Sequence, residues 1–329
     1  MVIRASGQLV PGLVSIVVPT HDRPDTLAAA LASIRALEGP DLTLEILVAD
    51  NSRTGSGQQV AAEHGARWIA TESSGASGSR NAGMGAATGE FLAFLDDDDL
   101  YLPGTLRPQL ALLRTRTDLD AVVGQVQLAK MDATRYGNPY PSSLPDDVFP
   151  SFLRQYPQIG ATMVRTAVRE SVGLFDTTLV GGQDWDWQLR LATKHRVGFV
   201  AVPAVLFRQR EVGDRDDLWW IRLRFMRRVF WKNARAAGWR RAGGLGVFLI
   251  ILRHRGEFAD YFMRSAIQAG QGQAARLALW RAARSSWLHV LFRLCHDPRL
   301  RQAMWGSLGG SNPPPEPMPK SNSHTRDPR

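Results

Sequence analysis

Nearly unbroken apolar runs alternate with stretches of helical spacing through the first part of the chain, and this alternation leaves few folds open. The runs are residues 14–19 (VSIVVP), 44–49 (LEILVA), 66–70 (ARWIA) and 91–95 (FLAFL). Residues 25–37, 57–64 and 80–87 lie between or beside them and predict helices, while the Gly- and Ser-rich residues 73–79 predict a loop. Strands that are apolar on both faces belong to a mostly parallel sheet flanked by helices on each side. In such sheets ligands sit beyond the carboxyl ends of the strands. The turns Thr20-His21-Asp22, Asp50-Asn51-Ser52 and Asp96-Asp97-Asp98-Asp99 should therefore line one crevice.

The pattern continues with a helix over 106–114, a strand over 121–128 and a Pro-, Ser- and Asp-rich loop over 136–150. Segments at 160–165 and 184–193, a helix over 166–172 and a last strand over 197–203 follow. Hydrophobic residues make up 44% of the 329 and charged residues 22%, ordinary values for a folded domain with a sizeable core. Cys295 stands alone, so no internal disulfide can form, which suits a reducing compartment. The first residues do not read as a signal peptide. No segment offers the roughly 18 consecutive apolar residues of a membrane span.

The aspartates at 96–99 carry the first chemical argument. Four adjacent carboxylates repel one another, and a fold keeps them where something offsets the repulsion. Mg²⁺ and Mn²⁺ do so, because they prefer oxygen ligands and bridge to phosphates. In an extended or turning chain residues two apart face the same way, so Asp96 and Asp98 can address one ligand together. A bare acidic run is more often a solvated turn. Here it leaves a buried strand at the ligand-binding edge, which favours the metal.

Three stretches, VSIVVPTHDRPDTLAAALASI, EILVADNS and SGASGSRNAGMGAATGEFLAFLDDDDLYLPGTL, together resemble the nucleotide-binding half of glycosyltransferase family 2, which has a GT-A fold. The later segment GLFDTTLVGGQDWDWQLRLA resembles that family's acceptor-side motif, and order and spacing agree over about residues 14–210. The resemblance implies a metal-assisted, inverting transfer of a sugar from a nucleoside-diphosphate donor, UDP or dTDP, to a hydroxyl of a glycan or lipid-linked acceptor. It places Pro19 and Thr20 against the nucleoside, Asp50 against the base, and Arg80 and Asn81 beside the nucleotide and its pyrophosphate. Asp98 becomes the direct metal ligand, with Asp96 on the metal or the ribose, and Asp97 and Asp99 supporting. Asp184 becomes the catalytic base, flanked on the acceptor side by Gln183, Trp185 and Asp186. The position before Asp50 is Ala49 where the family often has a second aspartate, and Gln183 stands where it usually has glutamate.

Elementary chemistry agrees on the base. The acceptor proton must leave as the hydroxyl attacks, from the side opposite the departing diphosphate, so the base belongs to another part of the chain than the metal aspartates. Trp185 and Trp187 have two readings, sugar stacking and core packing. His21 lies in the donor loop, though lone histidines are mostly structural or solvated. The glycines at 75, 78, 83 and 85 do not form a dinucleotide fingerprint. Residues 188–191 do not form the Gln-x-x-Arg-Trp motif of processive synthases. Two other classes remain: a non-catalytic sugar-nucleotide or glycan-binding module, and a sugar nucleotidyltransferase. The latter would carry a Gly-rich basic loop after the first strand, where this chain has Thr20-His21-Asp22-Arg23.

The chain has a formal net charge of +9, and residues 207–310 hold 20 Lys and Arg against 7 Asp and Glu. This divides it into a catalytic domain over 12–210 (donor half 12–115, acceptor half 116–210), a basic helical region over 211–308, and a Pro-, Ser- and Lys-rich disordered tail over 309–329. Residues 218–232 (LWWIRLRFMRRVFWK) set arginines against large apolar side chains. The basic region is either a helical subdomain packed on the catalytic domain or a patch for an anionic membrane surface, near Trp219, Trp220, Trp231, Arg222, Arg227 and Arg228. Nucleic acid is not expected, since no recognised motif is present. The combined expectation is a cytoplasmic bacterial enzyme of cell-envelope polysaccharide synthesis, peripheral at the inner face of the membrane.

Overall fold

The structure is a computed structural model that describes residues 8–72, 75–209, 216–269 and 273–308. The predicted tail at 309–329 lies outside the described residues, as do the side chains of Trp219, Trp220 and Arg222. The chain divides into two compact units, Met1–Val247 and Phe248–Arg329.

The first unit is built as the strand–helix alternation requires. It opens β1 (Val10–Thr20), α1 (Pro24–Arg35), β2 (Leu44–Asp50), α2 (Gly57–Glu63), β3 (Arg67–Ala70), α3 (Gly75–Ala86) and β4 (Gly89–Phe94). It continues β5 (Leu100–Tyr101), α4 (Arg107–Thr115), β6 (Ala121–Lys130), β7 (Arg135–Tyr140) and α5 (Phe149–Arg154). Then come β8 (Thr162–Arg165), α6 (Val168–Val172), α7 (Gln183–Lys194), β9 (Val197–Gln209) and α8 (Asp216–Asn233). A π-helical turn over Ala234–Gly238 and α9 (Trp239–Arg241) follow, and α10 (Gly243–Ala269) begins at the end of this unit, with most of its length in the second.

The strands form one sheet in the order β3-β2-β1-β4-β8-β6-β9-β5, with β7 paired to β6. Strands β3, β2, β1 and β4 are mutually parallel, as are β6 and β9; β8 runs antiparallel between β4 and β6. The chain moves outward from β1 through β2 to β3 and then returns to place β4 on the other side of β1. That reversal opens a crevice beyond the carboxyl ends of β1 and β4.

Alternation along β1 sorts the two faces. Val14, Ile16 and Val18 join the core that includes Leu27, Leu31 and Ile34 of α1. Val17 meets α3, where Gly83 sits so close that an added Cβ would lie 2.4 Å from Val17 Cγ1. Close contact of this kind explains why residue 83 of α3 is a glycine despite its weak helix propensity.

Several boundaries differ from the sequence reading. The helix expected from residue 80 starts at Gly75 and takes in most of the expected loop. The expected loop at 136–150 contains β7, whose Pro139 is tolerated because this strand pairs only with β6. Its end starts α5, with Pro150 in the first turn and Asp147 accepting a hydrogen bond from Phe149 N. The last strand continues past Pro203 to Gln209, because that proline sits where the β6–β9 register shifts. Short β5 was not foreseen.

Candidate active site

The aspartate run leaves β4 at the crevice and alternates. Asp97 and Asp99 are buried at 5% and 0% exposure, while Asp96 and Asp98 remain about a quarter exposed on their side chains. The period-two geometry therefore presents Asp96 and Asp98 together and turns the other two inward.

The inward pair is held by elements far apart in sequence. Thr20 Oγ1, at the end of β1, donates to Asp97 Oδ2 at 2.8 Å. Arg23 Nη1 donates to Asp97 Oδ1 at 3.1 Å and to Asp98 Oδ2 at 3.0 Å. Gln158 Nε2 donates to Asp96 Oδ2 and Asp99 Oδ2, each at 2.9 Å. At the end of β9, Arg208 donates its backbone N–H to Asp99 Oδ1 at 2.8 Å and its Nε–H to the Asp98 carbonyl at 2.6 Å.

Arg80, on α3, pairs with Asp96 through Nη2 and stacks over the Phe175 ring, its cationic centre 5.6 Å from the ring centroid. It is 3% exposed, yet its Nε and Nη1 have no hydrogen-bond partner; the buried Nη2 of Arg208 also has none. Buried guanidinium protons without acceptors are costly unless a ligand supplies the acceptors.

Asp184 sits in the first turn of α7, after Gly182 with φ +73°. That left-handed residue lets the chain turn from the preceding loop into the helix. Burial pushes the Asp184 carboxyl above its usual range; the Arg80 charge opposes this and the Asp96 charge adds to it. Asp184 thus shares one electrostatic environment with Arg80 and Asp96. Burial raises Asp97 to about 6 against the pull of Arg23, and burial with the Asp96 and Asp98 charges raises Asp99. Burial pushes Tyr140 up to about 12, with Asp99 and Asp184 contributing.

Other predicted site residues are placed differently. Asn81 spends both ends of its amide on the backbone of Phe175, at 3.0 and 2.8 Å, and so braces the chain before α7 instead of facing the crevice. Asp50 is 1% exposed; its carboxylate accepts from Ser52 N, Gly57 N and Trp68 Nε1. Burial pushes Asp50 up, but these hydrogen bonds hold it below its usual range. Pro19 is buried beside Thr20 on β1, and His21 is largely exposed.

The acceptor-side group also divides. Gln183 carries a buried Oε1 with no partner. Trp185 is 2% exposed, donates to Phe152 O at 2.7 Å and stacks on Tyr156; Trp187 is fully buried against Phe175 and Phe94. Core packing is thus the reading that fits both tryptophans, and Trp185 offers a sugar no free face. Asp186 is fully buried, bound by Arg190 at 2.9 Å, Lys232 at 2.9 Å and Asn233 at 3.1 Å, and it ties α7 to α8. Its charge is consumed there.

Residues 15–170 match the model of a family described as "Glycosyl transferase family 2". This region is similar to glycosyltransferase family 2 domains. An uncharacterized glycosyltransferase of Bacillus subtilis, YwdF, is 27% identical over 44% of this chain and 55% of its own length. The Escherichia coli UDP-Glc:alpha-D-GlcNAc-diphosphoundecaprenol beta-1,3-glucosyltransferase WfgD is 30% identical over 31% of this chain and 41% of its own. The chain thus spans about half or less of the length of these curated relatives. The crystal structure of Staphylococcus aureus TarS residues 1–349 in complex with UDP-GlcNAc is similar, with TM-score 0.52, 14% identity and coverage of 86% of this chain and 91% of that one. The likeness shows a shared GT-A fold around the crevice.

Arg23, Gln158 and Arg208 had escaped the sequence reading as site residues. Arg23 could have been found, because it follows the β1 loop directly. Gln158 and Arg208 carry no local signal; only the placement of β8 and β9 brings them to the aspartates.

Proposed function

We propose that the family 2 domain transfers a sugar, with inversion, from a UDP- or dTDP-sugar to a hydroxyl of a glycan or lipid-linked acceptor. What supports this reading is the Arg80–Asp96 pair at the crevice, with Asp184 close enough to feel both charges. Asp184 stands as the base. A carboxylate held above its usual range keeps more affinity for the proton it must accept from the acceptor hydroxyl. The free N–H groups of Arg80 and Arg208 suit the donor diphosphate.

Mg²⁺ or Mn²⁺ fits this site. Among the described residues no group of three or more His, Cys, Asp or Glu could hold a metal. Asp96 and Asp98 form an outward pair, however, and Mg²⁺ commonly takes one or two carboxylates, completing its shell with substrate phosphates and water. When bound there it would neutralise charge on the departing diphosphate. Asp98 would be the nearer ligand, with Asp96 assisting while Arg80 and Gln158 hold it. Asp97 and Asp99 would orient the pair from behind.

WfgD is named for a diphosphoundecaprenol acceptor. A lipid-linked acceptor for this chain would place it at a membrane face, and no described helix is long and apolar enough to cross the bilayer. The reading is tested with a panel of UDP- and dTDP-sugars and Mn²⁺. One donor should raise the thermal midpoint in a concentration-dependent way and release its nucleoside diphosphate when acceptor is present. Stabilisation without any turnover would indicate a binding module. Pyrophosphate release from a nucleoside triphosphate would indicate a nucleotidyltransferase.

A further inference from the structure

The second unit carries a helix whose polarity is inverted. In α11 (Gln273–His296) the side chains turned inward are small: Ala275, Ala278 and Ala282 are buried, with Val290 the only larger one beside them. Those turned outward are large: Leu277, Trp280, Trp287, Leu288, Leu291 and Phe292 are between 44% and 63% exposed. Ser286 (φ −159°, ψ 92°) interrupts the helix, so they fall into two groups, Leu277 and Trp280 before the break and Trp287, Leu288, Leu291 and Phe292 after it, the second group spaced by three and four along one side. A helix that packs only on its own unit buries large side chains and exposes small or polar ones. Contiguous apolar exposure on this scale marks a surface made for a second environment. In α12 (Pro298–Leu308), Trp305 adds a further exposed ring at 66%.

The charge around this stripe selects the partner. Residues 248–308 contain nine arginines and three acidic residues. Each acid is already engaged inside the unit: Glu257 by Arg253 and His254, Asp260 by His289 and Arg293, and Asp297 by Arg293. Asp297 also accepts from the N–H groups of Arg299 and Leu300 at the start of α12. Arg284, within the stripe, lies 5.2 Å from the Trp280 ring centroid. The exposed side is therefore apolar and rich in tryptophan, on a unit with more arginines than acids. A second copy of this chain would bring an equally cationic face and meet repulsion, whereas an anionic lipid surface supplies both apolar depth and opposite charge.

We propose that the outward side of α11 lies in the interface of an anionic membrane, with Trp280, Trp287, Leu288, Leu291 and Phe292 below the headgroups and the arginines among them. The proposal gives a concrete surface to the membrane-facing part of the function proposed above, but it stands on this helix alone. Its vesicle-binding assay omits nucleotide, so its failure and that of the donor reading are told apart.

The full chain is sedimented with vesicles of phosphatidylcholine alone and with vesicles holding about 30% phosphatidylglycerol. Binding should be confined to the anionic vesicles and weaken with salt. Leu288→Glu with Leu291→Glu should lower the partition coefficient at least about tenfold. Both positions are exposed, so the thermal midpoint and donor-induced stabilisation should stay unchanged. Undiminished binding by the double variant would overturn the proposal, as would equal binding to neutral vesicles. No binding to either vesicle, with a concentration-dependent dimer that the variant abolishes, would assign the surface to self-association instead.

Discussion

Replacing Arg80 by methionine separates what this residue does for the fold from what it does for the donor. The side chain is 4% exposed and paired to Asp96, a pairing whose loss between two buried ions typically costs about 3–5 kcal/mol. Asp96, however, is 26% exposed and keeps Gln158 at 2.9 Å, so water and the amide soften the loss. Removing Arg80 also removes two buried N–H-bearing atoms that lack acceptors, each worth about 1–3 kcal/mol of relief. Methionine retains most of the aliphatic volume. The net expectation is a stability loss of about 1–2 kcal/mol, or a few degrees in thermal midpoint. Donor binding should respond far more. Two charge-assisted hydrogen bonds to a diphosphate contribute about 3–4 kcal/mol together, so UDP affinity should fall roughly 100- to 1000-fold. Uridine, which has no diphosphate, should bind within about threefold of the parent protein. Calorimetric titration of both ligands reads the difference. An equal fall for UDP and uridine, or an unchanged UDP affinity in a folded variant, would refute the assignment of Arg80 to the diphosphate.

Three further outcomes follow from neighbouring geometry. Gly182→Ala keeps ordinary contacts, since the new Cβ would lie 3.7 Å from Met226 and Val229, but at φ +73° it should cost about 1–2 kcal/mol. Because it precedes Asp184, kcat should fall while UDP affinity holds. Asp186→Ala leaves Arg190 and Lys232 without their shared carboxylate and should destabilise by about 2–4 kcal/mol, read by denaturant unfolding, with UDP affinity again unchanged. The pH profile of kcat/KM should show an acid limb set by Asp184. A base must be ionised, and burial raises this carboxyl, so activity should fall as pH drops through a midpoint above the ordinary carboxylate value of about 4. A limb at or below that value would remove the environment argued for Asp184.

Much of the fold could be read in the chain because its strands are local and apolar. Residues 14–19, 44–49, 66–70 and 91–95 each became a strand of the parallel block. The outward facing of Asp96 and Asp98 likewise follows from their spacing alone. What escaped depended on contacts distant in sequence. Residues 75–79 read as loop because Gly and Ser are poor helix formers, yet they begin α3, whose later residue Gly83 packs against Val17 of β1. Pro203 read as a stop because a proline cannot donate to a ladder, but a register shift removes that need. Arg208 and Gln158 sit 110 and 59 residues from the aspartates they hold, and no local pattern marks them. Trp185, Asp186 and Asn81 have structural partners that the sequence does not reveal. Their chemistry suits a sugar site, but each is committed to packing or bracing around α7.

The central claim is that proton transfer belongs to Asp184 while the donor is held elsewhere in the crevice. Single-turnover transfer by Asp184→Asn, measured beside its affinity for the nucleotide-sugar with Mn²⁺, tests this most directly. The account predicts donor affinity within about threefold of the parent and a transfer rate reduced by at least about 100-fold, the scale of lost general-base catalysis. Transfer at the parental rate in a variant that binds donor normally would contradict it.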